Sequence, residues 1–159
     1  MASPKRTKNS PPATDKVVVR DLQATLVELI DLALAAKQAH WNVVGPNFRS
    51  VHLELDEIVD TVRLGSDRVA ERIATIGAVP DGRSSAVAKG SSLPVFPDGR
   101  VGTVEVVERI GSTIDTVTER MRGRIERSAD PDPVSQDILI GVADALEKHA
   151  WMLRAQLTQ

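Results

Sequence analysis

The chain has 159 residues, a net charge of -2 and 42% hydrophobic residues, which suits one globular domain with a sizeable core. It contains no cysteine, so disulfides, thiolate metal sites and cysteine nucleophiles are excluded, and aromatic residues make up only 3%, so the core must be aliphatic. Because no apolar run is long enough to span a bilayer and no signal-peptide core precedes the domain, we expect a cytoplasmic protein without membrane association.

The first sixteen residues, MASPKRTKNSPPATDK, differ in composition from the rest of the chain. They carry four basic residues against the single acid Asp15, together with three prolines and almost nothing to pack. The sequence therefore predicts a disordered basic N-terminal tail over residues 1–16 and one folded domain over residues 17–159.

Apolar residues recur at steps of three and four in four long segments, which predicts four amphipathic helices. Gly45-Pro46 ends the first helix, and ADPDPVSQD separates the last two. Residues 77–100 are rich in Gly, Pro and Ser and form a long connection. Residue propensities do not predict its secondary structure. Two short connections and one long crossover predict an all-α four-helix bundle. The predicted helices span about residues 17–43, 47–76, 104–127 and 134–157.

The predicted core stripes follow from the same spacing. On the second helix we expect Ser66 to continue the stripe that Val62 and Val69 define. On the fourth helix the expected stripe runs through Val134, Ile138, Val142, Ala145 and Leu153.

The stretch HWNVVGPNFRSVH places one histidine on each side of the turn between the first two helices. His40 continues the apolar stripe of the first helix, where a hydrogen-bonded histidine at a helix end is a sufficient explanation. The second helix carries a polar band beside its core stripe. That band is either a solvated face with i,i+4 ion pairs or a metal-binding face. Its members are His52, Asp56, Arg63, Asp67 and Glu71.

The spacing within this band limits what one chain can bind. His52–Asp56 and Asp67–Glu71 are i,i+4 pairs, each able to hold one metal ion, and ligands of this kind suit iron, manganese or zinc. Asp56 and Asp67 are eleven residues apart, about 16 Å along a helix, so they cannot contact the same ion. Two such helices running antiparallel across a twofold axis would create two shared sites, with the turn returning His40 beside His52.

A di-iron site inside the bundle would need Glu-x-x-His on two helices, and no Glu-x-x-His occurs in the chain. His149 follows Glu147 by two residues, which puts the two side chains on different helix faces. We therefore predict that His149 has a structural role. A shell protein in which the paired residues form only salt bridges remains an alternative.

The segment from Lys37 to Gly77, KQAHWNVVGPNFRSVHLELDEIVDTVRLGSDRVAERIATIG, closely resembles the signature of the Dps mini-ferritins, the DNA-binding proteins from starved cells. The family pattern is a histidine before Trp-Asn, a Gly-x-x-Phe turn, His-x-x-x-Asp and, later, Asp-x-x-Ala-Glu-Arg. SQDILIGVADALEKHAWMLRAQL resembles the last helix of the family. The resemblance covers nearly everything after the tail and is weakest over residues 83–100.

The resemblance implies a ferritin-like four-helix bundle with a short extra helix in the crossover. It also implies twelve copies in a hollow dodecamer. The implied activity is that of a ferroxidase that oxidises Fe(II), preferably with hydrogen peroxide, stores ferric mineral and protects DNA from oxidative damage. Iron is then both the substrate at a di-iron site and the stored mineral.

The resemblance also assigns roles to individual residues. The shared ferroxidase site would take His40, His52 and Asp56 from one subunit and Asp67 and Glu71 from the other. Trp41, besides packing, would relay or quench stray oxidising equivalents, and Arg72 would form a structural salt bridge. An acidic threefold pore for iron entry would involve Asp130, Asp132 and Asp137, although carboxylates at a helix N-terminus are also favoured by the helix dipole alone.

Dps proteins that bind DNA generally use a basic tail, and no C-terminal tail follows the last predicted helix here. The candidate contacts are therefore Lys5, Arg6 and Lys8 of the N-terminal arm, which would bind phosphates without reading sequence. Many arms on one shell would add avidity. The alternative is thus a protein whose main function is to bind DNA non-specifically and compact it within the nucleoid. If the arm does not bind DNA, it is an inert solubilising tail.

Overall fold

A computed structural model describes residues 15–157, and the predicted contacts Lys5, Arg6 and Lys8 lie outside this range. The described part is almost entirely helical, and its four long helices match the predicted ones to within two residues at each end. The elements are α1 (Lys16–Asn42), β1 (Val43–Val44), α2 (Phe48–Thr75), α3 (Ser84–Gly90), β2 (Val101–Gly102), α4 (Thr103–Ser128) and α5 (Pro133–Ala155).

The four long helices form a bundle in which α1 packs on α2 and α4, and α5 packs on α4 and α2. Adjacent helices run antiparallel, so the crossover from α2 to α4 must travel the length of the bundle. The short parallel pair of β1 and β2 closes this path, with Val43 opposite Val101, and ties the α1–α2 turn to the start of α4. The predicted all-α bundle with one long crossover is confirmed.

The core is aliphatic, as the composition predicted. Leu22, Leu29 and Ile114 are among its completely buried residues. Ser66 is only half-buried, and Gly65 takes its place facing α5, where an added Cβ would lie 3.2 Å from Val142 Cγ1. This position needs a small residue because the two helices approach closely there.

The predicted core stripe of the last helix was partly wrong. Val134 is 56% exposed, and Ile138 and Ala145 are only partly buried. At each of these positions the buried residue is the next one in the sequence, so the buried face is rotated by one residue from the predicted face. The buried face of α5 comprises Ser135, Leu139, Val142, Ala143, Leu146, His149, Ala150 and Leu153.

The folded domain begins two residues before the predicted boundary at residue 17. The Asp15 carboxylate caps α1 by accepting hydrogen bonds from the backbone N–H groups of Val17 at 2.7 Å and Val18 at 3.3 Å. Asp15 and Lys16 therefore belong to the helix and not to the tail.

Residues 77–100, which propensity left open, contain one short helix, α3, as the family resemblance implied. The crossover is tied to α1 by a reciprocal pair of hydrogen bonds. Gln23 Nε2 donates to the Asp81 carbonyl at 2.8 Å, and the Asp81 N–H donates to Gln23 Oε1 at 2.9 Å. These contacts satisfy backbone groups that a long loop would otherwise leave to solvent.

A buried ionic network joins α1 to α4. Arg124 donates to Glu28 at 2.6 Å and to Thr25 at 3.1 Å, and Arg120 donates to the other Glu28 oxygen at 2.9 Å. Nearer the helix end, Arg127 donates to Asp21 at 2.7 Å. Because each buried carboxylate is paired, the network sets the register between the two helices and leaves neither carboxylate as an unpaired buried charge.

The seam between α2 and α5 is closed at two points by polar contacts. His149 Nε2 lies 2.9 Å from Thr61 Oγ1, and Gln156 donates to Glu54. Burial lowers the pKa of His149, while Glu57 opposes this shift and Lys148 adds to it. Burial raises the pKa of Glu54, the hydrogen bond from Gln156 opposes the rise, and the charge of Glu57 adds to it. His149 thus has a packing role, consistent with its predicted structural function.

We predict that His149 makes the protein less stable as the pH falls below about 6.5, the ordinary pKa of histidine. The folded state holds its imidazole neutral, so the unfolded state binds the proton first and the stability is lost on acidification. Urea unfolding at fixed protein concentration between pH 7.5 and 5.5 should show a shallower pH dependence in His149→Gln than in the parent. The difference in slope is limited to about 1.4 kcal/mol per pH unit, the value for one proton. Identical slopes would contradict the assignment.

Candidate metal centre

The turn between α1 and α2 reverses the chain in a few residues. Gly45 has φ +116°, and Asn47, at the start of α2, has φ +61°, so both occupy the left-handed region. Asn47 holds the N-cap position of α2 without a side-chain hydrogen bond. This reversal places the first turn of α2 against the last turn of α1.

The reversal brings the two histidines together, as predicted. The ring centroids of His40 and His52 lie 3.7 Å apart with an interplanar angle of 22°. His40 Nδ1 lies 2.9 Å from the His52 carbonyl oxygen, and His52 Nδ1 lies 2.9 Å from the His40 carbonyl oxygen. The two residues are therefore locked by a reciprocal pair of hydrogen bonds.

These hydrogen bonds determine the tautomer of each ring. A carbonyl oxygen can only accept, so each Nδ1 must carry a proton and donate it. In the neutral imidazole this leaves the lone pair on Nε2. Metal-binding histidines commonly have this arrangement, in which a backbone carbonyl orients the ring through the other nitrogen. Both histidines are thus prepared to bind a cation through Nε2.

Asp56 lies one turn after His52 and borders the histidine pair. Its Oδ1 is 3.4 Å from His40 Nδ1, and it forms a close ion pair with Lys37 Nζ. The hydrogen bond from Lys37 is the main cause that lowers the pKa of Asp56, with a smaller contribution from His40. Asp56 is therefore ionised near neutral pH and carries the negative charge that a cation site requires.

Sequence reasoning missed Lys37. Its position three residues before His40 puts both side chains on one face of α1, and that spacing was the available signal. What the spacing did not reveal is that Lys37 contacts α2, which only the packing of the two helices decides.

Asp67 and Glu71 lie further along α2 and are both exposed. They lie far from the histidine pair, since about 16 Å of helix separates Asp67 from Asp56. Within residues 15–157, no three His, Asp or Glu side chains already converge on one metal position. His40, His52 and Asp56 come together in one chain, whereas Asp67 and Glu71 remain apart from them.

Two aromatic residues lie near the two histidines along the chain. Phe48 stacks on His52 with centroids 5.0 Å apart, so it supports the ring from the turn side. Trp41 directly follows His40 but is 68% exposed, beside Leu34 and Val95. Its indole therefore lies on the surface and not in the core.

The residues predicted to line a pore have different surroundings. Asp130 and Asp137 are exposed. Asp132 is partly buried and caps α5, accepting from the Ser135 N–H at 3.2 Å, and it receives two hydrogen bonds from Arg72 at 2.7 and 2.8 Å. Burial alone would raise the pKa of Asp132, but the hydrogen bonds from Arg72 and Ser135 outweigh it and lower the pKa. These contacts favour the helix-dipole alternative for Asp132, and Arg72 forms the structural salt bridge that was expected of it.

The antiparallel bundle and the histidine pair define a ferritin-like protein, and the profile of the ferritin-like domain matches residues 19–159. A DNA protection during starvation protein of Mycolicibacterium smegmatis is 42% identical over 136 residues, covering 86% of this chain and 74% of that protein. The fine tangled pili major subunit of Haemophilus ducreyi is 39% identical over 145 residues, covering 91% of this chain and 77% of that subunit.

Comparison of structures gives the same result. Mycobacterium smegmatis Dps in its tetragonal crystal form superposes with a TM-score of 0.88 at 39% identity, covering 94% of this chain and 93% of that one. Within the ferritin-like proteins, this chain belongs to the Dps mini-ferritin family. In the described residues, no helix is both long and apolar enough to cross a membrane.

We predict that the Arg72–Asp132 pair stabilises the fold. Asp132→Ala removes both a helix cap and the partner of a mostly buried arginine, which should lower the free energy of unfolding by roughly 2–4 kcal/mol. Denaturant unfolding of Asp132→Ala, Arg72→Gln and the double variant would measure the coupling between the two residues. Asp130→Ala, an exposed neighbour, is the matched control and should be close to neutral. A loss confined to iron uptake, with unchanged stability, would instead favour a pore role for Asp132.

Proposed function

We propose that this protein is a ferroxidase and iron store. It oxidises Fe(II), with hydrogen peroxide as the preferred oxidant, and deposits ferric mineral inside a hollow homododecamer. Two Fe(II) ions supply the two electrons that reduce one peroxide to water, so the reaction removes both precursors of hydroxyl radical and protects DNA. The observation that carries the proposal is the reciprocal hydrogen bonding of His40 and His52, which leaves the lone pair of each ring on Nε2. An ionised Asp56 borders the same pair, on the Nδ1 side of His40.

In the proposed centre, His40, His52 and Asp56 of one subunit hold the arriving Fe(II). Asp67 and Glu71 of the partner subunit supply further carboxylates, which stabilise the harder Fe(III) product. Sharing across a twofold axis is supported by the length of α2, since one chain cannot bring its own two carboxylate pairs to one ion. Iron is the substrate and the stored product of this site.

Lys37 adds a regulatory element to this centre. Its ammonium group contacts the carboxylate of Asp56, so an arriving cation must displace it. Lys37 thereby screens the charge of the free half-site at the cost of some affinity for Fe(II).

Two further roles belong to the proposal. Exposed Trp41, adjacent in sequence to His40, would intercept oxidising equivalents that leave the centre. Asp137 and Asp130, whose carboxylates are exposed near the start of α5, would attract cations at a threefold pore.

A DNA-binding role is the second candidate, in the cytoplasm and associated with the nucleoid. It is supported by the name of the relatives, DNA protection during starvation protein, and by the basic residues Lys5, Arg6 and Lys8. In this alternative, compaction of DNA is the main function and the iron chemistry is secondary.

The first prediction concerns the shared centre. Anaerobic Fe(II) followed by peroxide should give fast ferric absorbance with the parent and at least roughly tenfold slower oxidation with Asp67→Ala/Glu71→Ala, because the partner's ligands are lost. Asp60→Ala, an exposed carboxylate on the same helix, is the control and should retain the parent rate. Equal, slow rates in all three proteins would remove the ferroxidase proposal and leave DNA binding or a plain shell.

Sharing between subunits is tested by mixing. His52→Ala and Asp67→Ala/Glu71→Ala should each be slow alone, but a mixed dimer has one centre with both defects and one intact centre. Co-assembly of the two variants should therefore restore part of the activity. If mixed assemblies stay as slow as the separate variants, the ligands do not come from two chains.

Replacement of Lys37 tests its competition with the cation. Lys37→Gln removes the ammonium that pairs with Asp56 and should tighten binding of Zn(II), a redox-inert substitute for Fe(II), by about two- to fivefold. Titration calorimetry of the parent, Lys37→Gln and Lys37→Arg provides the comparison, since arginine retains the charge. Weaker binding in Lys37→Gln would mean that Lys37 supports the site.

Deletion of the arm separates the two candidate functions. The deletion should end at residue 14, because Asp15 caps α1. We expect Fe(II) oxidation to persist while DNA binding, and its steep decrease with salt, disappear. DNA binding that survives the deletion would move the contact to the folded domain.

A further inference from the structure

Two buried side-chain atoms have no hydrogen-bond partner in the described part of the chain, residues 15–157. They are Glu54 Oε1 and His149 Nδ1. Buried polar atoms are nearly always satisfied, so such atoms indicate a water or an ion that binds there. Both lie on the seam between α2 and α5, which makes this seam a candidate site of its own.

One carboxylate, that of Glu57, lies between the two atoms along α2. Glu54 contacts Gln156 and Thr61 contacts His149, so the helices are antiparallel and in register over about 10 Å. Glu57 lies between these two contacts, one turn after Glu54 and one turn before Thr61. Glu57 and Thr61 are four residues apart and share one face of α2, and the charge of Glu57 acts on both Glu54 and His149.

The donor set is that of a transition-metal site. His149 is 7% exposed, and its Nε2 faces Thr61, so when Nε2 donates to the threonine hydroxyl the Nδ1 lone pair is available as a ligand. The side chain of Glu57 is exposed and can rotate towards it. One imidazole and one or two carboxylates, without sulfur, suit Fe(II), Mn(II), Co(II) or Zn(II).

We propose that Glu57 and His149, with Glu54 one turn away, form a second divalent-metal site in each subunit. The site lies on the opposite flank of α2 from the His40–His52 pair, and all of its ligands come from one chain. It is therefore independent of the twofold interface and of the proposed ferroxidase reaction. In the absence of metal, no three ligands converge there, so binding requires rotation of Glu57 and completion of the coordination by water.

Metal counting on the intact oligomer tests this site. Zn(II) bound per subunit should fall by one equivalent in Glu57→Gln and in His149→Gln, and should be unchanged in Asp60→Asn, a control one turn away on α2. Because Glu57 is exposed, its replacement should not disturb folding, which guards against a trivial loss in the His149 variant. Crystals soaked in Zn(II) should show an anomalous peak between α2 and α5 in the parent that both variants lack.

The possible outcomes separate this site from the shared centre. If either variant keeps the full metal count and the peak, the site is overturned, and an ordered water satisfies His149 and Glu54. Asp67→Asn/Glu71→Gln should lose the metal of the shared centre but keep the peak on the seam. Loss of only the shared-centre metal would thus leave this inference standing, and failure of the seam alone would leave the proposed ferroxidase untouched.

Discussion

The reciprocal hydrogen bonds between His40 and His52 connect the fold of this chain to its chemistry. Each imidazole is buried or half-buried at the end of a helix, and each donates to the backbone carbonyl of the other residue. The same pair of bonds therefore closes the α1–α2 hairpin and sets the tautomer of both rings. Because the contact needs the left-handed backbone at Gly45 and Asn47, the turn is as much a part of the candidate centre as the histidines are.

Helix α2 has two faces with different surroundings. One face carries the histidine and aspartate beside α1, and the opposite flank packs on α5 around Gly65 and Thr61. Further along α2 the polar band of the first face continues with Asp67 and Glu71, which the single chain leaves exposed. A helix of this length cannot bring Asp67 and Glu71 back to the histidines of the same chain, and for this reason the proposed centre takes them from a partner subunit.

The charged residues of the bundle divide into those that hold the fold and those that remain available. Arg124 with Glu28, and Arg72 with Asp132, pair across helices and are mostly removed from water. A buried pair of this kind adds little net stability but is costly to break, so it mainly selects the correct register. Asp56 is different, since it stays partly exposed in its ion pair with Lys37.

The sequence by itself determined the helices, because periodic apolar residues and Gly-Pro breaks are local signals. It also determined that the pairs His52–Asp56 and Asp67–Glu71 of one chain are too far apart to contact one ion, because the distance along a helix depends only on residue number. The tertiary structure decided which polar residues meet across helices. Spacing along one chain could not predict that Lys37 pairs with Asp56, that Arg72 pairs with Asp132, or that Gly65 replaces Ser66 in the core. Those contacts depend on how neighbouring helices are rotated and how closely they approach, which is set only when the whole bundle packs.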